Sequence, residues 1–255
     1  MKKRNYFSYG CYRIIRGLVW LFYPKMKVEG NENLPEEAAI IVGNHCQMHG
    51  PICSELYFPG ERTTWCTHQM MDRKEVPAYA FQDFWSGKPK WTHWFYKLLS
   101  HIIAPISACV FTNARTIPVY RDNRLIATFK HTIQALQDGK NVIILAESEK
   151  PHNHIVNKLN DKYIDVAKLY YKRTGKSLAF VPLYHAPELK TMHIGKPILF
   201  RPDAPIEEER ERISNALMDA ITEIAVQLPK HRVVPFCNVS KKDYSWNTQM
   251  EGIQK

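Results

Sequence analysis

Residues 38–50 have the sequence AAIIVGNHCQMHG. The first six form a short apolar run bounded by turn residues, which is typical of a strand buried inside a sheet. Asn44 and His45 follow this run directly. Because functional groups in α/β sheets collect in the loops just beyond the strands, this stretch predicts a core strand followed by a functional loop. A single histidine in such a loop can act as a general base, or it can simply be a solvated or capping residue.

The rest of the chain repeats this alternation of strand and helix. Apolar runs predict strands at residues 63–67, 117–120, 142–145, 177–184 and 192–198. Helical periodicity predicts helices at residues 5–23, 124–137, 161–173 and 206–228, and Pro51 predicts the start of a short one. The fold class is therefore α/β, a single domain with a mainly parallel or mixed central sheet flanked by helices. We expect an N-terminal helix in residues 1–27, the α/β domain in residues 28–240 and a tail in residues 241–255.

The N-terminal helix allows two interpretations. Its apolar residues Ile14, Leu18 and Phe22 recur at helical spacing, with Arg13 and Arg16 beside them. It either packs on the domain's own core or lies in a membrane interface, with its apolar face in the acyl region and its arginines at the headgroups. The arginines interrupt the apolar run, so neither a signal peptide nor a clean transmembrane span is expected.

A second aromatic segment covers residues 79–96, and Gly87 and Pro89 interrupt it. It predicts either a second interfacial contact or a loop that lines a substrate. The apolar run that follows, Leu98 to Phe111, is too short by itself to span a bilayer.

The charge of the protein is concentrated in these two segments. The net charge is +10, and residues 1–28 contain seven Lys or Arg without any acidic residue. Residues 84–121 contain five more, again without an acidic residue. Two aromatic and basic segments favour an anionic bilayer that the protein lies on without crossing. No nucleic-acid motif is recognisable, so nucleic acid is not expected as a partner.

The six cysteines are scattered, which is typical of free thiols in a reducing cytosol. The spacing of His45, Cys46, His49 and Cys53 matches no standard zinc pattern, so no metal site is predicted.

Four short blocks, in order, resemble the 1-acylglycerol-3-phosphate acyltransferase family, the PlsC-type lysophospholipid acyltransferases. The family's NHxxxxD block is similar to NHCQMHG from Asn44, and its G-x-IPVxR block to RTIPVYR ending at Arg121. Its FPEGTRS block resembles LAESEK from Leu145 to Lys150, and its strand with a VP pair resembles residues 180–183. The resemblance covers roughly residues 28–200.

The resemblance implies that His45 takes the proton from an acceptor hydroxyl, which then attacks an acyl thioester. The family's aspartate, which orients this histidine, corresponds to Gly50, so the matching carboxylate is missing. Glu147, which matches the glutamate of the third block, or Glu55 could replace it, and we expect His45 and Glu147 to be the catalytic pair. The resemblance further implies a set of substrate-binding residues: Asn44, Arg121, Ser148 and Lys150.

The function that follows from the resemblance is acyl transfer in phospholipid biosynthesis. The donor would be acyl-CoA or acyl-carrier protein, the acceptor a lysophospholipid or glycerol-phosphate-like molecule, and no cofactor would be needed. The protein would work at the cytoplasmic face of the membrane as a peripheral or monotopic enzyme. The alternatives are a catalytically impaired relative that binds lipid or acyl chains, a nucleic-acid-binding module, and a hydrolase that uses the same histidine.

Overall fold

The computed structural model of the protein describes residues 6–248. Its α-helices are α1 (Tyr6–Phe22), α2 (His49–Tyr57), α3 (Val76–Ala80), α4 (His93–Asn113), α5 (Leu125–Gln137), α6 (Asp165–Thr174) and α7 (Ile206–Gln227). Its strands are β1 (Lys27–Glu29), β2 (Ile40–Gly43), β3 (Arg62–Thr67), β4 (Thr116–Val119), β5 (Asn141–Ile144), β6 (Glu147–Pro151), β7 (Asn157–Leu159), β8 (Ala179–Ala186), β9 (Thr191–Ile194) and β10 (Ile198–Leu199). The parts of the predicted N-terminal helix and tail at residues 1–5 and 249–255 lie outside the described residues.

The chain divides into two compact units. The first contains the described residues up to Pro24 together with Thr64–Thr128, and the second contains Lys25–Thr63 together with the residues from Phe129 onward.

The second unit is built on a sheet in which β2 occupies the centre. Its strand order is β1-β9-β8-β2-β5. On β2, Ile41 lies opposite Ile143 of β5 and Val181 of β8, and all three side chains are fully buried. Both pairings are parallel, whereas β9 and β10 run antiparallel to β8. Strands buried on both faces have continuous apolar sequences rather than alternating ones, which explains the run at residues 38–43.

The helix α7 packs against β8 and covers one face of this sheet. Its residues Ile213, Leu217 and Ile221 are fully buried and recur at helical spacing. The fold class is therefore confirmed as α/β, with a mixed, mostly parallel sheet flanked by helices.

The first unit combines the parallel pair β3 and β4 with a group of helices. Trp65 of β3 lies opposite Ile117 of β4. The helix α4 packs against both α1 and α3, and the buried core of this region contains Val76, Ala80 and Ala104.

Several elements differ from the sequence predictions. The helix α4 has 21 residues, and the segment Lys90–Asn113 is long and apolar enough to cross a membrane by length and composition. The apolar run Leu98 to Phe111 is therefore part of a longer helix, which continues in the N-terminal direction beyond the uninterrupted apolar residues. The helix α2 begins at His49, two residues before Pro51. The hairpin of β6 and β7 was not predicted.

Candidate active site

The loop that follows β2 is held in a tight conformation by its own main chain. Cys46 and Gln47 have φ angles of 49° and 54°, a left-handed conformation that non-glycine residues rarely adopt. The amide of His49 donates to the carbonyl of Cys46 at 2.9 Å, and the amide of Gly50 donates to the carbonyl of His45 at 3.1 Å. These bonds turn the chain from β2 directly into α2 and leave His45 at the carboxyl end of the strand.

Asn44 joins this loop to the end of β8. Its side chain is 1% exposed. Its Oδ1 accepts the amide N–H of His185 at 2.7 Å, and its Nδ2 donates to the carbonyl of His185 at 3.2 Å. The side-chain amide of Asn44 therefore has a structural role, because it holds the loop to the end of β8. A contact between Asn44 and substrate stays a prediction.

The imidazole of His185 lies buried beneath the same loop. Its Nδ1 faces the carbonyl oxygen of Asn44 at 3.0 Å, and its Nε2 lies 3.0 Å from the hydroxyl of Ser54 on α2. Because Nδ1 faces an acceptor, it carries the proton, and Nε2 accepts from Ser54. Burial lowers the pKa of His185 to about 4, so this ring is neutral and ties α2 to the end of β8.

Glu147, the first residue of β6, connects the β2 loop to the β6–β7 hairpin. Its Oε2 accepts the backbone amide of His45 at 2.5 Å, and its Oε1 accepts the backbone amide of Asn157 at 2.8 Å. Burial raises the pKa of Glu147 from 4.5 to about 7, although the two amide donors favour the charged form. The predicted pair is thus brought together, but this bond runs to the main chain of His45 and not to its imidazole.

The imidazole of His45 is half-buried and contacts an aromatic ring from the C-terminal region. The ring of Phe236 meets it edge to face, with the centroids 5.5 Å apart and an angle of 87° between the planes. This is a favoured geometry for aromatic pairs. The imidazole therefore has a defined packing partner, and its Nδ1 is buried.

Ser148 and Lys150 lie on β6 beside Glu147. The hydroxyl of Ser148 donates to the carbonyl of Lys158 at 2.8 Å and accepts the amide of Lys150 at 3.3 Å. The side chain of Lys150 is exposed. The third block of the resemblance is thus a hairpin strand, and the roles of both residues in substrate binding stay predictions.

Arg121 lies in the first unit, in the turn after β4, and is exposed. Burial raises the pKa of the Tyr79 hydroxyl, and the positive charge of Arg121 partly opposes this shift. Arg121 therefore lies near Tyr79 within its own unit, and its contact with a substrate phosphate stays a prediction.

Other candidate groups around His45 have different partners. Glu55 lies 3.7 Å from the guanidinium of Arg62 and accepts a bond from it through its carbonyl. Burial and the charge of Lys241 lower the pKa of His49. Burial also raises the pKa of the Cys46 thiol well above its usual value, which makes it a poor nucleophile.

Within residues 6–248, no group of three or more His, Cys, Asp or Glu could hold a metal ion.

Gly50 occupies the position that corresponds to the family's aspartate. A Cβ atom at this position would lie 2.4 Å from the carbonyl oxygen of His45 and 3.0 Å from that of Asn44. Both atoms belong to the main chain and cannot move aside independently. The loop conformation therefore excludes a side chain at position 50.

Sequence reasoning assigned no role to Ser54, His185 or Phe236. His185 carried a usable signal, because it directly follows the predicted strand at residues 177–184. Ser54 and Phe236 lie in segments without a recognisable motif. Only the packing of distant segments brings Ser54 to His185 and Phe236 to His45.

The structure is similar to the crystal structure of the 1-acyl-sn-glycerophosphate (LPA) acyltransferase, PlsC, from Thermotoga maritima. The TM-score is 0.50 at 16% sequence identity, and the match covers 88% of this chain and 81% of that chain. No protein-family model and no curated protein matches the sequence. The chain therefore has the fold of a PlsC-type acyltransferase, as the four blocks led us to expect.

Replacing Gly50 by alanine should destabilise the protein by about 1–3 kcal/mol, because the new methyl group must displace the main chain of His45. Gly17→Ala is the matched control, since a Cβ at this exposed helical position meets no atom within 4 Å. Urea unfolding of both variants provides the measurement. Equal free energies of unfolding for the two variants would show that position 50 has room for a side chain.

Replacing Glu147 by glutamine should lower the free energy of unfolding by about 1–3 kcal/mol at neutral pH, because the amide can accept only one of the two backbone N–H groups.

The pKa of Glu147 in the folded protein is above its value in the unfolded chain. The wild type should therefore lose stability relative to Glu147→Gln as the pH rises from about 4.5 to about 7, by at most about 1.4 kcal/mol per pH unit. Urea unfolding across this range measures the difference, and an advantage of the wild type that grows with pH would contradict the assignment.

Proposed function

We propose that the protein is an acyltransferase that moves a fatty acyl group from acyl-CoA or acyl-carrier protein to a hydroxyl of a lysophospholipid or glycerol-phosphate-like acceptor in phospholipid biosynthesis. The observation that carries this proposal is the position of His45. The residue lies at the carboxyl end of β2, where Glu147 binds its backbone amide, on a fold shared with a PlsC acyltransferase. Functional groups of α/β folds collect at this edge of the sheet.

The proposed reaction needs a neutral imidazole at His45. It takes the proton of the acceptor hydroxyl while the oxygen attacks the thioester carbonyl, so that a carbon–oxygen bond forms. The carbon–sulfur bond then breaks, and the departing thiolate receives the proton. Glu147 is a positioning residue in this scheme, because it acts through the main chain of His45.

Arg121 and Lys150 are the proposed partners of the acceptor phosphate. Both side chains are exposed, and no ion pair to another residue within 6–248 engages either one. An arginine can bind phosphate with two parallel hydrogen bonds, whereas a lysine contributes a single point charge.

We further propose that α1 and α4 dock on the cytoplasmic face of an anionic membrane. The two helices pack together, and Asn113 donates to the hydroxyl of Ser8 at 2.8 Å. Both expose apolar side chains at helical spacing: Phe7, Ile14, Leu18, Leu21 and Phe22 on α1, and Trp94, Leu98, Ile102 and Ile106 on α4.

The opposite face of α4 supports a helix that lies on the bilayer rather than across it. Ala104 and Ala108 are buried, and the hydroxyl of Ser107 donates to the carbonyl of Met70 at 3.0 Å. Since this face packs within the first unit, only the exposed face is free to enter the acyl region.

A second function, that of a catalytically impaired lipid-binding relative, is favoured by one observation. Position 50 cannot hold the aspartate that orients the histidine in the resembling family. Removal of such an orienting aspartate in a comparable histidine site costs about 10⁴-fold in rate.

His45→Ala should reduce acyl transfer by about 10²–10⁴-fold, because it removes the general base. His131→Ala on the exposed face of α5 is the matched control and should leave the rate unchanged. The assay supplies labelled acyl-CoA or acyl-carrier protein with a panel of lysophospholipids and glycerol phosphate. Equal rates for wild type and His45→Ala would refute the role of His45. Lipid binding by a wild type that transfers nothing from either donor would support the second function.

Leu98→Glu and Ile102→Glu should each weaken flotation on phosphatidylglycerol-containing vesicles about tenfold or more, because each places a charge in the proposed acyl-contacting face. Leu169→Glu on α6 and Val226→Glu on α7 are controls at side chains 42% and 47% exposed. Equal losses in all four variants would show that the α1–α4 surface has no special part in membrane binding.

A further inference from the structure

The chain beyond α7 leaves the body of the second unit and returns to it. We call residues 232–246 the strap. Its two ends are joined, because Arg232 and Trp246 form an antiparallel bridge and the amide of Val233 donates to the carbonyl of Ser245 at 2.8 Å. Lys230 and Arg232 both lie over the ring of Trp246, at 4.7 and 5.2 Å from its centroid. The strap is therefore a closed surface loop with its own internal contacts.

The base of the strap is anchored in the protein core. His231 is 1% exposed, and its Nδ1 faces the carbonyl of Pro229 at 2.8 Å. Since Nδ1 therefore carries the proton, Nε2 accepts the hydroxyl of Tyr184 on β8 at 2.8 Å. Asn247 donates to the carbonyl of Ala225 at 2.8 Å and accepts the amide of His231 at 2.9 Å. These bonds fix the point from which the strap extends.

The far part of the strap lies on the β2 loop. The side-chain amide of Gln47 makes two hydrogen bonds to the strap. Its Nε2 donates to the carbonyl of Cys237 at 3.0 Å, and its Oε1 accepts from the hydroxyl of Tyr244 at 3.3 Å. Directly before Cys237, the ring of Phe236 meets the imidazole of His45 edge to face. The strap therefore places the aromatic ring of Phe236 against His45, the proposed general base.

We propose that Phe236 is a positioning residue that holds the His45 imidazole in its reactive orientation, an inference that rests on the proposed acyl transfer. The hydrogen bond to Glu147 fixes the main chain of His45, but it does not restrict rotation of the imidazole about the side-chain bonds. A carboxylate at position 50 cannot restrict that rotation, because the loop leaves no room for a side chain there. The contact with Phe236 restricts it by packing instead, which keeps the reacting nitrogen directed at the acceptor hydroxyl.

The test compares Phe236→Ala, Phe236→Tyr and the control Val239→Ala, a strap residue with an exposed side chain. Phe236→Ala should lower kcat by up to about 100-fold, while KM for the acceptor changes little, because orientation of the base matters in the transition state. Phe236→Tyr keeps the ring and should restore most of the activity, and Val239→Ala should match the wild type. Circular dichroism and thermal unfolding establish that all variants are folded.

A second measurement does not depend on activity. Imidazole NMR signals of His45, assigned with His45→Ala, should move in Phe236→Ala, return in Phe236→Tyr and stay unchanged in Val239→Ala. An unchanged kcat for Phe236→Ala in an active enzyme, or unchanged His45 signals, would overturn the inference and leave the proposed function in place. Absence of acyl transfer by the wild type would instead refute the proposed function, and with it the catalytic part of this inference.

Discussion

The position of His45 depends on one buried carboxylate. Glu147 accepts the amide of His45 and the amide of Asn157, so it joins the loop after the central strand to a hairpin that begins beyond the neighbouring strand. Burial disfavours the negative charge of the Glu147 carboxylate, and its pKa is raised for this reason. The arrangement nevertheless satisfies two backbone donors that would otherwise be left without acceptors, and an unpaired buried N–H is costly. The contact thus orders the loop through its main chain and does not involve the imidazole of His45.

The same loop explains why the site departs from the family pattern that its sequence resembles. Two consecutive left-handed residues and the bond from Gly50 to His45 bring α2 so close to the strand end that only glycine fits at position 50. Asn44, Ser54 and His185 form a buried hydrogen-bond network beneath the loop. Residues of the strap contact the loop itself, at Gln47 and His45. In the proposed function, the packing of Phe236 on His45 takes the place of a carboxylate at position 50.

Much of the fold was predictable, because buried parallel strands and amphipathic helices have distinct apolar periods. The runs at residues 38–43 and 142–145 and the helix at residues 206–228 all correspond to observed elements. The hairpin of β6 and β7 was missed because ESEKP has no strand-like apolar pattern and depends on pairing with β7. The helix α4 was not predicted as a helix, because its first turns mix aromatic and polar residues and only the apolar run from Leu98 to Phe111 stood out in the sequence.

The sequence by itself determined the α/β class and the strand that leads to His45, because local apolar period contains this information, and the order of the motifs made Glu147 or Glu55 the expected partner of that histidine. Only the tertiary structure decided how the pair meets, through a backbone amide rather than the imidazole. It also decided that Phe236 lies on His45 and that position 50 is closed to side chains. The contacts of His45 with Glu147 and Phe236 join residues far apart in the chain, and no local pattern encodes them because they depend on how the β6–β7 hairpin and the strap pack around one loop. The closure of position 50 follows from the left-handed conformation of Cys46 and Gln47, which the sequence did not predict.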